Sequence, residues 1–458
     1  MPPTLLPSLP SLTCAALCCA LLALPARACP DLGPADAATL SLDKALARVT
    51  DCHPELRGQR ALLAAADADV RVAGQLPNPQ LTVGAGSLSR NLGRGSLWNK
   101  TFDHSLRIDQ LIEGGRKPAL RRAVAESTRQ AVLADVADAQ RRAAAVVAHL
   151  HQDLWAAQSR DQQLEQSVAL SSQALRLLEQ RVRAGDAPAL DASRFRLDDA
   201  RLRADLRQAQ AEAFDLQRQL ALSIGATPVA GQLQAQAHDP AAWPVAQNDM
   251  PGDLASDAAT QAADRRPDVA AALARVRAAE QARDLAAAAR TRDISVGAQF
   301  NRYPSSDSNP SGSGNTVSFS ISVPLFVRHA NDGELARAEA DLNIAREAWR
   351  RSRDAVLSEG TRLQALAVAA QDRRRLVLAQ LEPAAERVAA GAELAYQRGA
   401  SGALELLEAR RSLRAVRIER INADAELNKA LADWQAATAP VEATDPPTDP
   451  TQHNRARP

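Results

Sequence analysis

"QLTVGAG", residues 80–86, interrupts a chain otherwise dominated by Ala, Leu, Arg and Gln. Those residues favour long helices. The heptapeptide instead alternates apolar with small or polar positions, which is the period of a β-strand. "PNP" at 77–79 stops the helix before it, because proline lacks an amide donor and clashes with the preceding turn. "DISVGAQ" at 293–299 makes the same break in the second half of the chain.

The two breaks belong to an internal repeat, the first thing to seek in a long chain. With Pro54 set on Pro267, "PEL" meets "PDV", Ala65-Ala66-Asp67 meets Ala278-Ala279-Glu280, and Val83-Gly84-Ala85 meets Val296-Gly297-Ala298. After a shift of one, "QLIEGGR" (110–116) faces "PLFVRHA" (324–330), and "RAGDAPALD" (183–191) faces "RGASGALEL" (398–406). Each half reads as helix, strand, strand, long helix, turn, helix. The first helix is expected over Pro54–Leu76. The long helix of the first half is expected over 118–182, roughly 100 Å at about 1.5 Å per residue. Leu164, Val168, Leu175, Leu178 and Val182 space its apolar stripe as a coiled coil does. Its counterpart is expected over 332–396.

The strands are expected at 80–90, 101–112, 293–303 and 316–327. Phe102, Leu106 and Ile108 alternate with Asp103, Ser105, Arg107 and Asp109. Ile294, Val296, Ala298 and Phe300 alternate with Ser295, Gly297, Gln299 and Asn301, and Val317, Phe319, Ile321 and Val323 with Ser318, Ser320 and Ser322. About ten residues with one apolar and one polar face match a strand crossing an outer membrane, lipid on one side and water on the other. The chain has only five Trp, two Tyr and six Phe, yet the windows 80–112 and 294–327 hold Trp98, Phe102, Phe300, Tyr303, Phe319 and Phe326, as an aromatic girdle would. Four strands cannot close a barrel, and an open edge in lipid leaves backbone groups unpaired at several kcal/mol each. Several copies are therefore expected to share one barrel.

Composition sets the remaining bounds. The formal net charge is +1 over 458 residues, which offers no field for nucleic acid. "TCAALCCALLAL" (13–24) and "ARA" (26–28) form the apolar core and cleavage site of an export signal, although no Lys or Arg precedes them. Cleavage there makes Cys29 the first residue and a candidate for lipidation. Cys29 and Cys52 are too few for a disulfide framework. The expected division is a signal peptide at 1–28, a first repeat at 29–224, a Pro-, Gly- and Gln-rich linker or small packed connection at 225–260, a second repeat at 261–438 and a disordered tail at 439–458. The fold class expected is mainly α with membrane β. His149 and His151 stand two apart, so on a helix they diverge. No Cys-x-x-Cys, His-x-x-x-His or phosphate loop occurs, so neither an enzyme nor a resident metal or cofactor is expected.

From "LSLDKALA" (40–47) to "ALADW" (430–434) the chain resembles the TolC-like outer membrane efflux family. "PNPQLTV", "DQLIEGGRKPALRRAVAE" and "SVPLFVRHANDGELARAEADL" are similar to its CzcC branch, which serves heavy-metal export. The resemblance implies a homotrimer with a 12-stranded barrel in the outer membrane of a Gram-negative bacterium and a 12-helix tunnel in the periplasm. It implies two partners, a periplasmic adaptor and an inner-membrane pump of the RND type, which supplies the energy. Adaptor-docking tips would fall at Arg183, Gly185 and Leu190, and at Tyr396, Gly399 and Leu404. Glu405 and Glu408 occupy the positions of the family's acidic periplasmic gate. The family pattern has Asp there, and Ser401 stands where a gate-bracing basic residue is usual, with Arg398 nearby. The rivals are the same fold serving drugs or type I protein secretion, and a secreted structural coiled-coil protein.

Overall fold

The computed structural model describes residues 29, 32–33, 39–86, 102–226, 233–243, 263–303 and 314–438. The expected signal peptide, the tips of both strand loops, most of the linker and the expected tail lie outside these residues.

Helix α1 (Leu42–Cys52) starts where the Ser41 hydroxyl accepts from the Lys44 amide, satisfying one of the orphan donors of a first turn. Helix α2 (Pro54–Ala73) opens on proline, which needs no donor at that position. It ends before the expected Leu76. Gly74 closes it, its amide returning to the Val70 carbonyl at 3.2 Å.

Strands β1 (Gln80–Gly86) and β2 (Asp103–Ile112) follow. Helix α3 (Lys117–Ala184) runs 68 residues without a break, about 100 Å. Helix α4 (Ala189–Ser223) returns along it. The second half repeats the order with α5 (Pro267–Ala288), β3 (Ile294–Tyr303), β4 (Gly314–Ser322), α6 (Asp332–Leu376), α7 (Glu382–Gln397) and α8 (Ala403–Thr438).

Two differences from the sequence expectation have clear causes. The helix expected over 332–396 is split by a π turn at Val377–Leu381. Pro383 sits two residues beyond; it lacks an N–H and crowds the carbonyl four residues back, inside that turn, so the helix widens there. The strand expected over 316–327 starts at Gly314 and ends at Ser322. Pro324 cannot donate to a ladder, and Val323, Leu325, Phe326 and Val327 follow as exposed apolar residues outside any strand.

The four strands form one antiparallel sheet in the order β1-β2-β3-β4. The helices form a layer. α3 packs against α4 on one side and α8 on the other, α8 packs in turn against α6 and α7, and α2 and α5 lie on α3. The largest core joins Leu40, Val49, Leu56, Val147, Leu154, Leu220 and Ile224 from α1 to α4 and their flanks. A second core places Trp243 among Leu42, Ala148, Leu427 and Leu431. The Trp243 indole donates to Asn428 Oδ1 at 2.9 Å, and Asn428 Nδ2 donates to the His238 carbonyl at 3.1 Å. The described part of the linker is therefore a packed connection. Its residue Ala235 bridges Leu40 in parallel.

Candidate functional site

The sheet sorts its side chains by register. Val83 pairs with Leu106, Leu106 with Phe300, Phe300 with Val317, Ile108 with Ala298 and Ala298 with Phe319. Directly opposite residues share a face, so these pairs make one apolar surface across all four strands. It is bare: Val83 is 74% exposed and Phe319 81%. An apolar face this wide has no stable place in water.

The other face is polar and bonded internally. Arg107 donates to both oxygens of Asp109, at 2.7 and 2.8 Å, to Ser320 Oγ at 3.2 Å and to Gln299 Oε1 at 3.5 Å. Gln299 Nε2 donates onward to Asn301 Oδ1 at 2.6 Å. Gly297 leaves the room this network needs, since a Cβ there would stand 2.6 Å from Ser320 Oγ. Among the described residues, β1 and β4 each pair on one side only.

Phe102 departs from the expected alternation. It precedes β2, is buried, and lies against His104 with ring centroids 4.2 Å apart and planes tilted by 53°. Trp98 lies outside the described residues.

Where the sheet meets the helices, the chain reverses through left-handed backbone. Gly115 and Arg116 have φ of 66° and 60°, and Asn331 has 57°. Lys117 Nζ donates to Asp293 Oδ1 at 2.7 Å, and the Gly114 amide donates to the same oxygen at 2.9 Å. Burial opposes ionisation of Asp293, but these two donors together hold its carboxyl below the ordinary range. The Arg121 guanidinium does the same for Glu113.

The far ends carry two matching turns. The Gly185 amide bonds to the Val182 carbonyl at 3.1 Å and the Asp186 amide to Arg181 at 2.8 Å. The Gly399 amide bonds to Tyr396 at 3.1 Å and the Ala400 amide to Ala395 at 2.8 Å. This pair of bonds requires a left-handed residue, and the glycines supply it with φ of 85° and 73°. Arg183, Leu190 and Leu404 are exposed at the tips. Tyr396 instead packs inward, against a cluster of Leu178, Phe195, Ala403, Leu406 and Leu407 that joins the two hairpins.

Glu405 and Glu408 are both exposed, one turn apart on α8. Neither forms an ion pair among the described residues, and neither does Arg398. The basic residues beside them are engaged: Arg410 with Glu393 at 2.5 Å and Arg411 with Asp198 at 2.7 Å. The two acids face solvent. Ser401 Oγ is buried without a partner.

Sequence reasoning missed the bonds between the two repeats. His149 contacts Asp433 at 2.8 Å and Lys429 contacts Asp153 at 2.7 Å. His151 is fully buried with Nε2 2.9 Å from the Leu40 carbonyl. Burial pushes its imidazole below the ordinary range. Also missed was the bond between Cys29 and Cys52. Among the described residues no group of three or more His, Cys, Asp or Glu is placed to hold a metal ion. No helix there is long and apolar enough to cross a membrane.

A sheet that is apolar outside and polar inside, set on a layer of helices about 100 Å long, defines a subunit of an outer-membrane channel. Comparison with known proteins agrees. Residues 258–439 match the model of the outer membrane efflux protein family. The pyoverdine export outer membrane protein OpmQ of Pseudomonas aeruginosa is 27% identical over 86% of each chain. The crystal structure of CusC superposes with a TM-score of 0.70 at 20% identity, covering 87% of this chain and 91% of that one. The outer membrane protein VceC of Vibrio cholerae superposes with a TM-score of 0.68 at 18% identity, covering 87% and 95%. The chain has the fold of these outer-membrane channels, and its second half carries the sequence pattern of the outer membrane efflux proteins.

Proposed function

We propose that three copies close one 12-stranded barrel and one 12-helix tunnel, and that this tunnel exports heavy-metal cations such as cobalt, zinc, cadmium or copper. The open edges support the assembly. The free side of α4 carries exposed Leu197, Phe214 and Leu222, and the opposite side of the layer carries exposed Ile344, Leu366 and Val388. Each set is left open to solvent among the described residues. A neighbouring copy supplies it and pairs β4 with β1 at the same time, leaving no bare backbone in lipid. The tips at Arg183, Gly185, Leu190, Gly399 and Leu404 are then the surface for a periplasmic adaptor, with Tyr396 bracing them from within. An RND-type pump in the inner membrane supplies the energy.

The observation that carries the cation reading is the exposed pair Glu405 and Glu408, whose neighbours on the same helix, Arg410 and Arg411, are bound to other carboxylates. Three copies place six carboxylates around one axis, a ring that attracts cations. A second reading, export of an organic chelator or drug, is favoured by the similarity to a pyoverdine exporter. Deletion of the gene followed by growth on graded zinc, cobalt, cadmium, copper and an organic drug separates them. Metal sensitivity is expected. Drug sensitivity with unchanged metal tolerance overturns the cation reading.

A further inference from the structure

We propose that Cys29 is an oxidised staple on the elbow between α1 and α2, and not the attachment point of a lipid. The Sγ of Cys29 is bonded to that of Cys52, with the two Cα atoms 5.5 Å apart, inside the usual span of a disulfide. One sulfur cannot carry both this bond and a thioether to diacylglycerol.

The elbow is built to stay where it is. Cys52 is the last residue of α1 and is buried. The Gly225 backbone, at φ 63°, lies so close that a Cβ on it would stand 2.7 Å from the Cys52 carbonyl oxygen. Arg48 Nε donates to the Ile224 carbonyl at 3.3 Å. Gln140 Nε2 donates to Thr50 Oγ1 at 3.1 Å, which ties the elbow to a fixed level of α3.

That level is remote from the bilayer. Helix α2 leads from the elbow to β1 through 20 residues, a rise of about 30 Å. Gln140 lies a similar distance below the start of α3 at Lys117. Acyl chains on Cys29 would therefore hang in water about 30 Å below the strands, where each buried CH₂ of an anchor gains nothing. The bond thus holds Cys29 at a level where a lipid could not reach the bilayer.

Disulfides form outside the cytoplasm. A disulfide-bearing thiol oxidase of the periplasm supplies the oxidant. Its S–S bond breaks, the Cys29–Cys52 bond forms, the two thiols release two protons, and two electrons reduce the oxidase to its dithiol.

The full-length protein from outer membranes is alkylated in denaturant without reductant, digested with trypsin and weighed. The expected product is the Cys29 peptide ending at Lys44 joined to Val49–Arg57, separating only after reduction. The Cys52→Ser variant is expected to carry one alkylating group on Cys29 and to fractionate with the outer membrane as before. A diacylglyceryl mass on Cys29 in either protein overturns the proposal. So does alkylation of both cysteines of the unaltered protein before reduction. The readout is independent of the cargo.

Discussion

Arg411 on α8 donates to Asp198 on α4 at 2.7 Å, and Asp198 is only 5% exposed. The bond joins the second repeat to the first just behind the two tips. Few other contacts hold α8 to α4, so this ion pair and the apolar cluster around Phe195 and Leu406 set how closely the hairpins lie. Arg411→Ala leaves a largely buried carboxylate without its partner. The cost is expected at about 1–2 kcal/mol, between an exposed pair and a buried one. A lowered unfolding midpoint with faster proteolysis at the tips is the expected result. An unchanged midpoint and cleavage rate would show that the apolar cluster suffices.

The two faces of the sheet are expected to tolerate charge differently. Phe319→Lys places a charge on the apolar face and is expected to cost about 2–4 kcal/mol of membrane stability if it lies near the bilayer midplane. Ser318→Lys, one residue away on the polar face, is expected to insert normally. Urea-induced release from vesicles measures both. Equal effects would contradict the assignment of faces.

Much of this was legible in the sequence, and for a physical reason. Alternation at Val317, Phe319 and Ile321 and the glycines at 185 and 399 are local signals. A face or a left-handed turn must be written where it occurs. The π turn was signalled as well, by Pro383 inside the expected helix. The links His149–Asp433, Lys429–Asp153 and Arg411–Asp198 were not legible. They join residues hundreds of positions apart, and periodicity says nothing about which charged residues on two helices meet. The Cys29–Cys52 bond was hidden similarly, because two cysteines define a pair only once the elbow at Cys52 is folded.

The buried histidine fixes the sign of a pH dependence. His151 is held below the ordinary histidine range by burial, with His238 adding to the effect and Asp43 opposing it. Its folded form is neutral where the unfolded chain begins to bind a proton, near pH 6.5. Stability is therefore whole above that pH and falls as the pH drops below it, until the folded form also protonates. His238, depressed mainly by burial, contributes with the same sign. The melting midpoint in detergent is expected to fall as the pH drops below about 6.5. His151→Gln, which keeps a donor for the Leu40 carbonyl, is expected to flatten that slope. An identical slope in the variant would assign the dependence to other groups.

Glu405 and Glu408 are expected to act through charge. Replacing both with Gln removes six carboxylates from a trimer without shortening a side chain. Planar-bilayer recordings are expected to show a lower preference for cations, with the loss largest at low salt, where screening is weakest. Replacing Glu393, which is bound to Arg410, serves as the control on a carboxylate that faces a partner. Ion selectivity equal to that of the unaltered channel would place the constriction elsewhere.

The central claim is that β1 and β4, open within one copy, are joined between copies. Single cysteines at successive positions of β1 (80–86) are combined with single cysteines at successive positions of β4 (314–322), and the protein is oxidised in outer membranes. On a non-reducing gel, pairs in register are expected to yield covalent dimers and trimers that collapse to monomer on reduction. If no pair in the panel yields a species larger than one chain, the strands are not sealed by neighbouring copies and the account of this channel is contradicted.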